Sequence, residues 1–172
     1  CEGKKAAMGL TDDFHPSNRS YTYSVLLNDG KLISLSEDTY SFPAGAAHGS
    51  YTANGIIIDA RTGKELSGGD ILDPTKIDAL NAYLVEKVKA DERVFDAIRK
   101  TPEKNIPPFI SDTKRQFTLM LSEERGLYAL FGLYQIGPYV SGEIDYNIPA
   151  EFVKHPHVKH VIDQLELNNA QR

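Results

Sequence analysis

The sequence predicts an α+β domain in which helices pack on one face of a largely antiparallel sheet. Two observations support this prediction: strand-type alternation occurs near both ends of the chain, and helical periodicity lies between them. A length of 172 residues suits a single domain of this class. Residues 1–20 are polar and lack apolar periodicity, so we expect a flexible N-terminal tether there and the folded domain at residues 21–172.

The first predicted strands form a hairpin. Apolar residues alternate with polar ones from Tyr21 to Leu27, which is typical of a half-buried strand. Residues 28–30 read Asn-Asp-Gly, which favours a tight hairpin turn, and residues 31–36 return as a second strand. Residues 56–58 are all isoleucine and predict a third, buried strand.

The middle of the chain predicts two helices. Asp73 and Pro74 suit a helix start, since aspartate caps free N–H groups and proline fits the first helical position. Apolar residues then repeat at spacings of three and four, at Ile77, Leu80, Leu84 and Val88. A second helix is expected over residues 91–100, and its inner face would carry Val94, Phe95 and Ile98.

Strand patterns return in the C-terminal part. Residues 117–121 alternate, and residues 123–126 have the composition of a turn. Residues 127–133 and 143–148 then predict two more strands. A last amphipathic helix is expected over residues 151–167, with Pro156 interrupting it early.

Charge and hydropathy argue against two classes of partner. The net charge is −5, from 19 basic and 24 acidic side chains, and no Lys/Arg run supplies the basic face that a nucleic acid needs. No apolar run approaches the roughly 20 residues of a membrane-spanning helix. We therefore expect no nucleic-acid partner, and contact with a membrane through an N-terminal lipid alone.

Cys1 is the single cysteine, so no disulfide can form within the chain. An N-terminal cysteine followed by a polar stretch is typical of a bacterial lipoprotein whose signal peptide has been removed. Acyl chains on that cysteine would anchor the protein stably. We expect an extracytoplasmic, membrane-anchored lipoprotein at the periplasmic or cell surface; the alternative is a boundary that happens to fall at a cysteine.

Three short signatures occur in order along the chain. They are LISLS at 32–36 with Tyr40 and GAAHG at 45–49, IDARTGKEL at 58–66 with DIL at 70–72, and YQIGPY at 134–139 with Ile148 and Pro149. Together they resemble the C-terminal domain shared by the RsiV and PdaC proteins, a lysozyme-sensing anti-sigma factor and a peptidoglycan deacetylase. The resemblance implies an extracytoplasmic module that is not the catalytic part. Relatives carry a further strand and helix upstream, which residues 1–20 are too short and too polar to supply.

The resemblance also implies a ligand-binding surface. Loops of this module contact the enzyme in the lysozyme-sensing relative, and the matching positions lie around Ser34, Pro138 and Tyr139. With Tyr134 these are candidate ligand-binding residues, because tyrosine gives contact area with few rotatable bonds and proline pre-orders a loop; the alternative is that the tyrosines cap the core. His48, in a loop of small residues, is a further candidate, with a structural hydrogen bond as its alternative.

We expect no cofactor, no metal site and no catalytic site. His157 and His160 share a helical face that His155 does not, and Pro156 disturbs the local geometry. The sequence has no nucleophile elbow, metalloprotease helix or phosphate-binding Gly-rich loop.

The expected function is that of a non-catalytic envelope lipoprotein that binds a protein, with lysozyme as the candidate. An acidic chain favours encounter with a strongly basic protein such as lysozyme, and salt weakens that attraction. Two alternatives stay open. One is a peptidoglycan- or glycan-binding module, which predicts an aromatic-lined groove; the other is an envelope scaffold that pairs through an uncovered sheet edge.

Overall fold

The computed structural model describes residues 17–102 and 117–171. Within them, two antiparallel three-stranded sheets have the orders β1-β2-β3 and β4-β5-β6. The strands are β1 (Asn18–Asn28), β2 (Leu32–Phe42), β3 (Ser50–Asp59), β4 (Thr118–Ser122), β5 (Gly126–Phe131) and β6 (Ile144–Asn147). The helices are α1 (Gly68–Ile71), α2 (Ile77–Ala90), α3 (Asp96–Lys100) and α4 (Pro156–Ala170). The predicted α+β class is therefore confirmed, with two sheets in place of one.

β1 and β2 form the predicted hairpin. The Asp29 carboxylate accepts hydrogen bonds from the backbone N–H groups of Lys31 and Leu32, both at 2.8 Å. Gly30 lies at φ +79°, which glycine adopts without steric cost. β1 starts at Asn18, so residues 18–20 of the expected tether belong to the strand, while residues 1–16 lie outside the described part.

The apolar stripe of β1 faces solvent along most of its length. Tyr21, Tyr23 and Val25 are 55%, 58% and 66% exposed, whereas Leu27 is 5% exposed. A β-bulge lies between Val25 and Leu27, and it places them opposite neighbouring residues of β2, which point to opposite faces. The predicted burial of alternate β1 residues is therefore wrong up to Val25. Leu27 reaches the core because the bulge reverses the face of the strand to which its side chain points.

The second sheet lies inside the fold, and every residue of β5 is buried. Leu127, Ala129 and Phe131 join the main core, to which the helices contribute Leu80, Leu84, Val88, Val158 and Ile162. Tyr128 and Leu130, on the other face of β5, pack with Met120 against Leu26 and Ala53 of the first sheet. A strand covered on both faces accounts for the continuous apolar run in its sequence.

The two sheets are in close contact at Gly55 of β3. A Cβ atom there would lie 1.9 Å from the carbonyl oxygen of Leu119 on β4, so no larger residue fits. The N–H of Gly55 donates to the hydroxyl of Thr118 at 2.8 Å. A side chain of the second sheet therefore hydrogen-bonds to a backbone N–H group on the outer edge of β3.

Three helix predictions need adjustment. Asp73 does cap the middle helical region, but it does so at a 3₁₀ turn, Pro74–Lys76, that precedes α2. The second helix begins only at Asp96, and Phe95 is 39% exposed, so its predicted inward orientation is wrong. Pro156 begins α4 instead of interrupting a longer helix, because proline suits the first helical position. In the described part, no helix is long and apolar enough to cross a membrane.

Candidate functional site

Three of the five predicted ligand-binding residues, His48, Tyr134 and Tyr139, meet at one surface. His48 lies just before β3, and Tyr134, Pro138 and Tyr139 lie in the loop between β5 and β6. The centroid of the His48 ring is 4.5 Å from that of Tyr139 and 6.3 Å from that of Tyr134. The two tyrosine rings are 5.7 Å apart. We call His48, Tyr134 and Tyr139 the aromatic cluster.

Hydrogen bonds join the aromatic cluster to the residue before β3. The hydroxyl of Tyr139 donates to the carbonyl oxygen of Gly49 at 3.3 Å, and Nδ1 of His48 lies 3.0 Å from the same oxygen. Nε2 of His48 lies 3.3 Å from the Tyr134 hydroxyl. A structural hydrogen bond was the alternative role predicted for His48, and such contacts are present. They hold its ring beside both tyrosines.

Two tyrosines that were not predicted as site residues lie next to the cluster. Tyr40 of β2 and Tyr51 of β3 are register partners, and their ring centroids are 4.7 Å apart. A Cβ atom on Gly49 would lie 2.2 Å from the Tyr40 ring, so Tyr40 packs where only glycine leaves room. The available signal was a pair of tyrosines flanking one loop, since antiparallel pairing brings such strand ends together.

The loop between β5 and β6 is fixed against the segment that follows α2. The N–H of Phe95 donates to the carbonyl of Ile136 at 2.9 Å, and the hydroxyl of Ser141 donates to the carbonyl of Arg93 at 3.1 Å. A Cβ atom on Gly137 would lie 2.6 Å from that Arg93 oxygen. The loop therefore has little room to move at its centre.

Tyr134 has an unusual backbone conformation. Within the described residues it is the single non-glycine residue with positive φ, at +62°. The left-handed region costs a residue with a side chain about 1–2 kcal/mol. The turn around it closes through the N–H of Gln135, which donates to the carbonyl of Gly132 at 3.1 Å. The Tyr134 side chain is nevertheless 54% exposed, so a strained turn presents an aromatic ring to solvent.

A groove of about 380 Å³ begins beside the aromatic cluster and follows the outer edge of β3. One wall is β3 itself, and the other is formed by β4, β5 and the loop after β5. The described residues that line it are Ser50, Tyr51, Thr52, Ala53, Asn54, Phe117, Thr118, Leu130, Gly132, Leu133 and Gln135. None of them is charged. We call this feature the β3 groove.

A partly buried carboxylate also accepts a hydrogen bond from a backbone N–H group on the outer edge of β3. Glu143 accepts a hydrogen bond from the N–H of Ala53 at 3.2 Å. Burial raises the pKa of Glu143; the bond from Ala53 lowers it, and the nearby carboxylates of Asp38 and Asp145 raise it further. Asp145 is itself paired with the guanidinium of Arg125. This acidic group therefore caps the strand edge and is not part of the groove lining.

Ser34 does not join the site. Its side chain is fully buried, on β2 between its register partners Leu27 and Ile57. The hydroxyl has no hydrogen-bond partner among the described residues. Alternate residues of β2 face the core, which places Ser34 where a ligand does not reach it. Ser34 is therefore left out of the site proposed below.

The C-terminal histidines have a structural arrangement. His155 caps α4, where its Nδ1 accepts from the N–H of Val158 at 3.4 Å, and burial lowers its pKa. Its ring centroid is 6.1 Å from that of His157, and His160 is exposed. Across residues 17–102 and 117–171, no three histidine, cysteine or acidic side chains are grouped as metal ligands. Cys1, the predicted lipidation site, lies outside the described residues.

Fold and surface together define an α+β module with two antiparallel sheets and, between them, a groove whose described lining is uncharged and includes aromatic residues. Residues 69–151 match the family model described as "Protein of unknown function (DUF3298)". The matched segment includes Tyr134, Pro138 and Tyr139, whereas His48 and the β3 wall of the groove precede it. Among the curated proteins no sequence matches this chain.

Two solved structures of the DUF3298 family have a similar fold. A family member from Bacteroides fragilis gives a TM-score of 0.67 with 17% identity over 94% of this chain. A family protein from Pseudomonas aeruginosa gives a TM-score of 0.59 with 22% identity over 83% of this chain. The match covers 64% of each of those two chains. At these identities the likeness concerns the fold.

Proposed function

We propose that this chain is a non-catalytic binding module and that its aromatic cluster contacts a partner protein. The observation that carries the proposal is Tyr134, whose exposed ring is held by a strained backbone in an anchored loop. Strain of this kind persists where the surrounding structure enforces it, and it is concentrated at functional positions. A fixed tyrosine also offers a large contact area at a small cost in conformational entropy.

The surroundings of Tyr134 support a protein-sized contact. Val140, in the same loop, is 90% exposed, and Tyr51, beside the cluster, is 53% exposed. Tyrosines are enriched in the buried centre of protein interfaces, and their removal is often costly to binding. A patch of aromatic and aliphatic side chains held by two sheets is suited to such a centre.

Lysozyme is the partner that we propose to test first. The signature that resembles the lysozyme-sensing module contains Tyr134, Pro138 and Tyr139, and the two tyrosines belong to this surface. The net charge of −5 favours encounter with a strongly basic protein. This attraction is electrostatic, so it weakens as salt rises.

The proposal is tested by calorimetric titration of the full chain, carrying Cys1→Ser, with hen lysozyme at low and moderate salt. We expect saturable binding that is weaker at the higher salt and reduced about tenfold or more by Tyr134→Ala. Tyr21→Ala is the matched control, because Tyr21 is equally exposed but lies on β1, outside the cluster. No heat at either salt concentration, or equal losses in both variants, would overturn lysozyme binding at this site.

We also propose that Cys1 carries lipid and that the module lies outside the cytoplasm. The support is the position of the single cysteine and the polar stretch after it. The test is metabolic labelling of bacteria with an alkyne fatty acid, comparing the natural protein with its Cys1→Ser variant. Label that persists in the variant, or label absent from both, contradicts the proposal.

A further inference from the structure

We propose that the β3 groove is a binding site for a short, neutral carbohydrate chain. This proposal rests on the groove lining and is independent of the partner protein proposed for the aromatic cluster. None of His48, Tyr134 and Tyr139 lines the groove, so variants can separate the two sites.

The absence of charge in the lining selects the class of ligand. Charged residues make up 25% of the chain, yet none occurs among the described residues that line the groove. A phosphate, a nucleotide or a charged peptide would lose water on entering and gain no ionic partner, which is costly. A neutral polar ligand carries no such penalty.

The polar side chains of the lining match the hydrogen-bonding character of sugars. Ser50 and Thr52 contribute hydroxyl groups, and Asn54 contributes an amide. Hydroxyls and amides both donate and accept hydrogen bonds, as sugar hydroxyls do. The hydroxyl of Thr118 donates to the amide oxygen of Asn54 at 3.4 Å, which orients the Asn54 side chain at the groove wall.

An aromatic ring and aliphatic side chains lie among these polar groups. Tyr51 is 53% exposed, and its ring packs on Tyr40 at an interplanar angle of 43°, which holds it in place. Leu133 lies on the opposite wall. The C–H face of a sugar ring is apolar and gains by packing on such surfaces. The mixture of a few polar groups with apolar walls is the usual composition of a small-molecule site.

The dimensions favour an oligosaccharide over a single sugar. Residues 50–54 of β3 form one wall, and five residues of an antiparallel strand span about 14 Å. The groove volume of about 380 Å³ lies within the range for ligand pockets. A ligand that follows β3 therefore needs more than one ring.

The alternative occupant, an extended peptide that pairs with β3, is disfavoured by the strand edge itself. Strand addition needs free backbone groups at alternate residues. The N–H of Ala53 is bound by Glu143 and that of Gly55 by Thr118. Side chains therefore already occupy the positions where a peptide would hydrogen-bond, whereas a sugar can use the side chains of the lining.

The experiment is an amide-resolved NMR titration of the full chain, carrying Cys1→Ser, with three neutral tetrasaccharides: chitotetraose, cellotetraose and maltotetraose. We expect at least one of them to shift the amide resonances of residues 50–54 and Thr118 saturably. Asn54→Ala and Tyr51→Ala should each weaken binding about tenfold, while Tyr134→Asn should leave the affinity unchanged.

Any one of three results would overturn the proposal. The first is no saturable shift with any of the three sugars at millimolar concentration. The second is shifts confined to residues outside the groove, and the third is an unchanged affinity in Asn54→Ala. An uncharged tetra-alanine peptide that shifts the groove resonances when the sugars do not would assign the site to peptides instead. Unfolding curves of the variants check that each is folded. A lysozyme titration of the same samples tests the partner-protein proposal separately, so that failure of one proposal can be told from failure of the other.

Discussion

The hydroxyl of Tyr139 donates a hydrogen bond to the carbonyl oxygen of Gly49, 3.3 Å away and 90 positions earlier in the sequence. Gly49 precedes a strand of the first sheet, and Tyr139 follows a strand of the second. The aromatic cluster therefore forms only when both sheets are folded and in contact. Substitutions that loosen the contact between the sheets are expected to disturb the cluster even when they lie outside it.

Tyr134→Asn should remove the exposed ring without a large loss of stability. Asparagine tolerates the left-handed conformation better than tyrosine does. The relieved strain therefore offsets the lost ring contacts with His48 and Tyr139, and we expect the free energy of unfolding to change by less than about 1 kcal/mol. Urea unfolding measures it. Val140→Asn, at a residue that is 90% exposed, is the control, and a much larger loss for Tyr134→Asn would show that the ring is chiefly structural.

Glu143→Gln should raise stability at neutral pH. Burial raises the pKa of Glu143, so the folded state favours its protonated form. The stabilisation from protonation is complete below the unfolded-state pKa, about 4.3, and is lost as pH rises through the folded-state pKa. Glutamine cannot ionise and still offers an acceptor to the N–H of Ala53. At pH 7 an ordinary glutamate is ionised. We therefore expect the variant to melt at a higher temperature than the natural protein at this pH.

Thermal unfolding between acidic and neutral pH checks the sign of this effect. The difference in melting temperature between Glu143→Gln and the natural protein should narrow as the pH falls toward the unfolded-state pKa. Glu151→Gln, at an exposed carboxylate, is the control and should show a smaller change. A difference that is constant with pH, or that favours glutamate, would rule out a buried carboxylate at this position.

Val25→Ala and Leu27→Ala should have very different effects although the two residues belong to one sequence stripe. Val25 is 66% exposed, so its truncation should change the free energy of unfolding by less than about 0.5 kcal/mol. Leu27 is 5% exposed in the main core, so its truncation should cost about 2–5 kcal/mol. Chemical denaturation of both variants is the measurement, and similar losses would argue against the bulge between them.

Gly55→Ala should be strongly destabilising. The added Cβ would lie 1.9 Å from the carbonyl oxygen of Leu119, and a backbone atom cannot move aside as a side chain can. We expect a loss of about 3 kcal/mol or more. Gly68→Ala is the matched control, since its nearest atom, Cδ1 of Leu119, is 3.7 Å away and the position begins a helix. Equal melting temperatures for the two variants would mean that the sheets are not in contact at Gly55.

Local periodicity predicted the elements whose burial is set by their own sequence. The stripe of α2 and the strand β5 are examples, because repeated apolar positions leave one arrangement that buries them. The exposure of Tyr21 and Val25 was not predictable in this way. Their alternation is the same as that of a half-buried strand, and only the extent of the neighbouring sheet decides whether that face is covered.

The candidate site was predictable in part for the same reason. His48, Tyr134 and Tyr139 were selected from loop composition and from a resemblance, and the structure brings their rings together. Tyr51 and Asn54 were missed, because they become groove residues only through the pairing of β3 and its approach to β4. Contacts between distant segments leave no local pattern in the sequence.

The outer edge of β1 has a practical consequence for concentrated samples. Within residues 17–102 and 117–171 no strand pairs with this edge, and Arg19 is the single charged residue of β1. A strand edge with so little charge is a template on which a second molecule can extend the sheet. We therefore expect concentrated protein to self-associate through this edge. Thr22→Lys, at an exposed position opposite Asp38, would add a second charge without reaching the core, and it is the substitution to introduce before crystallisation or spectroscopy at high concentration.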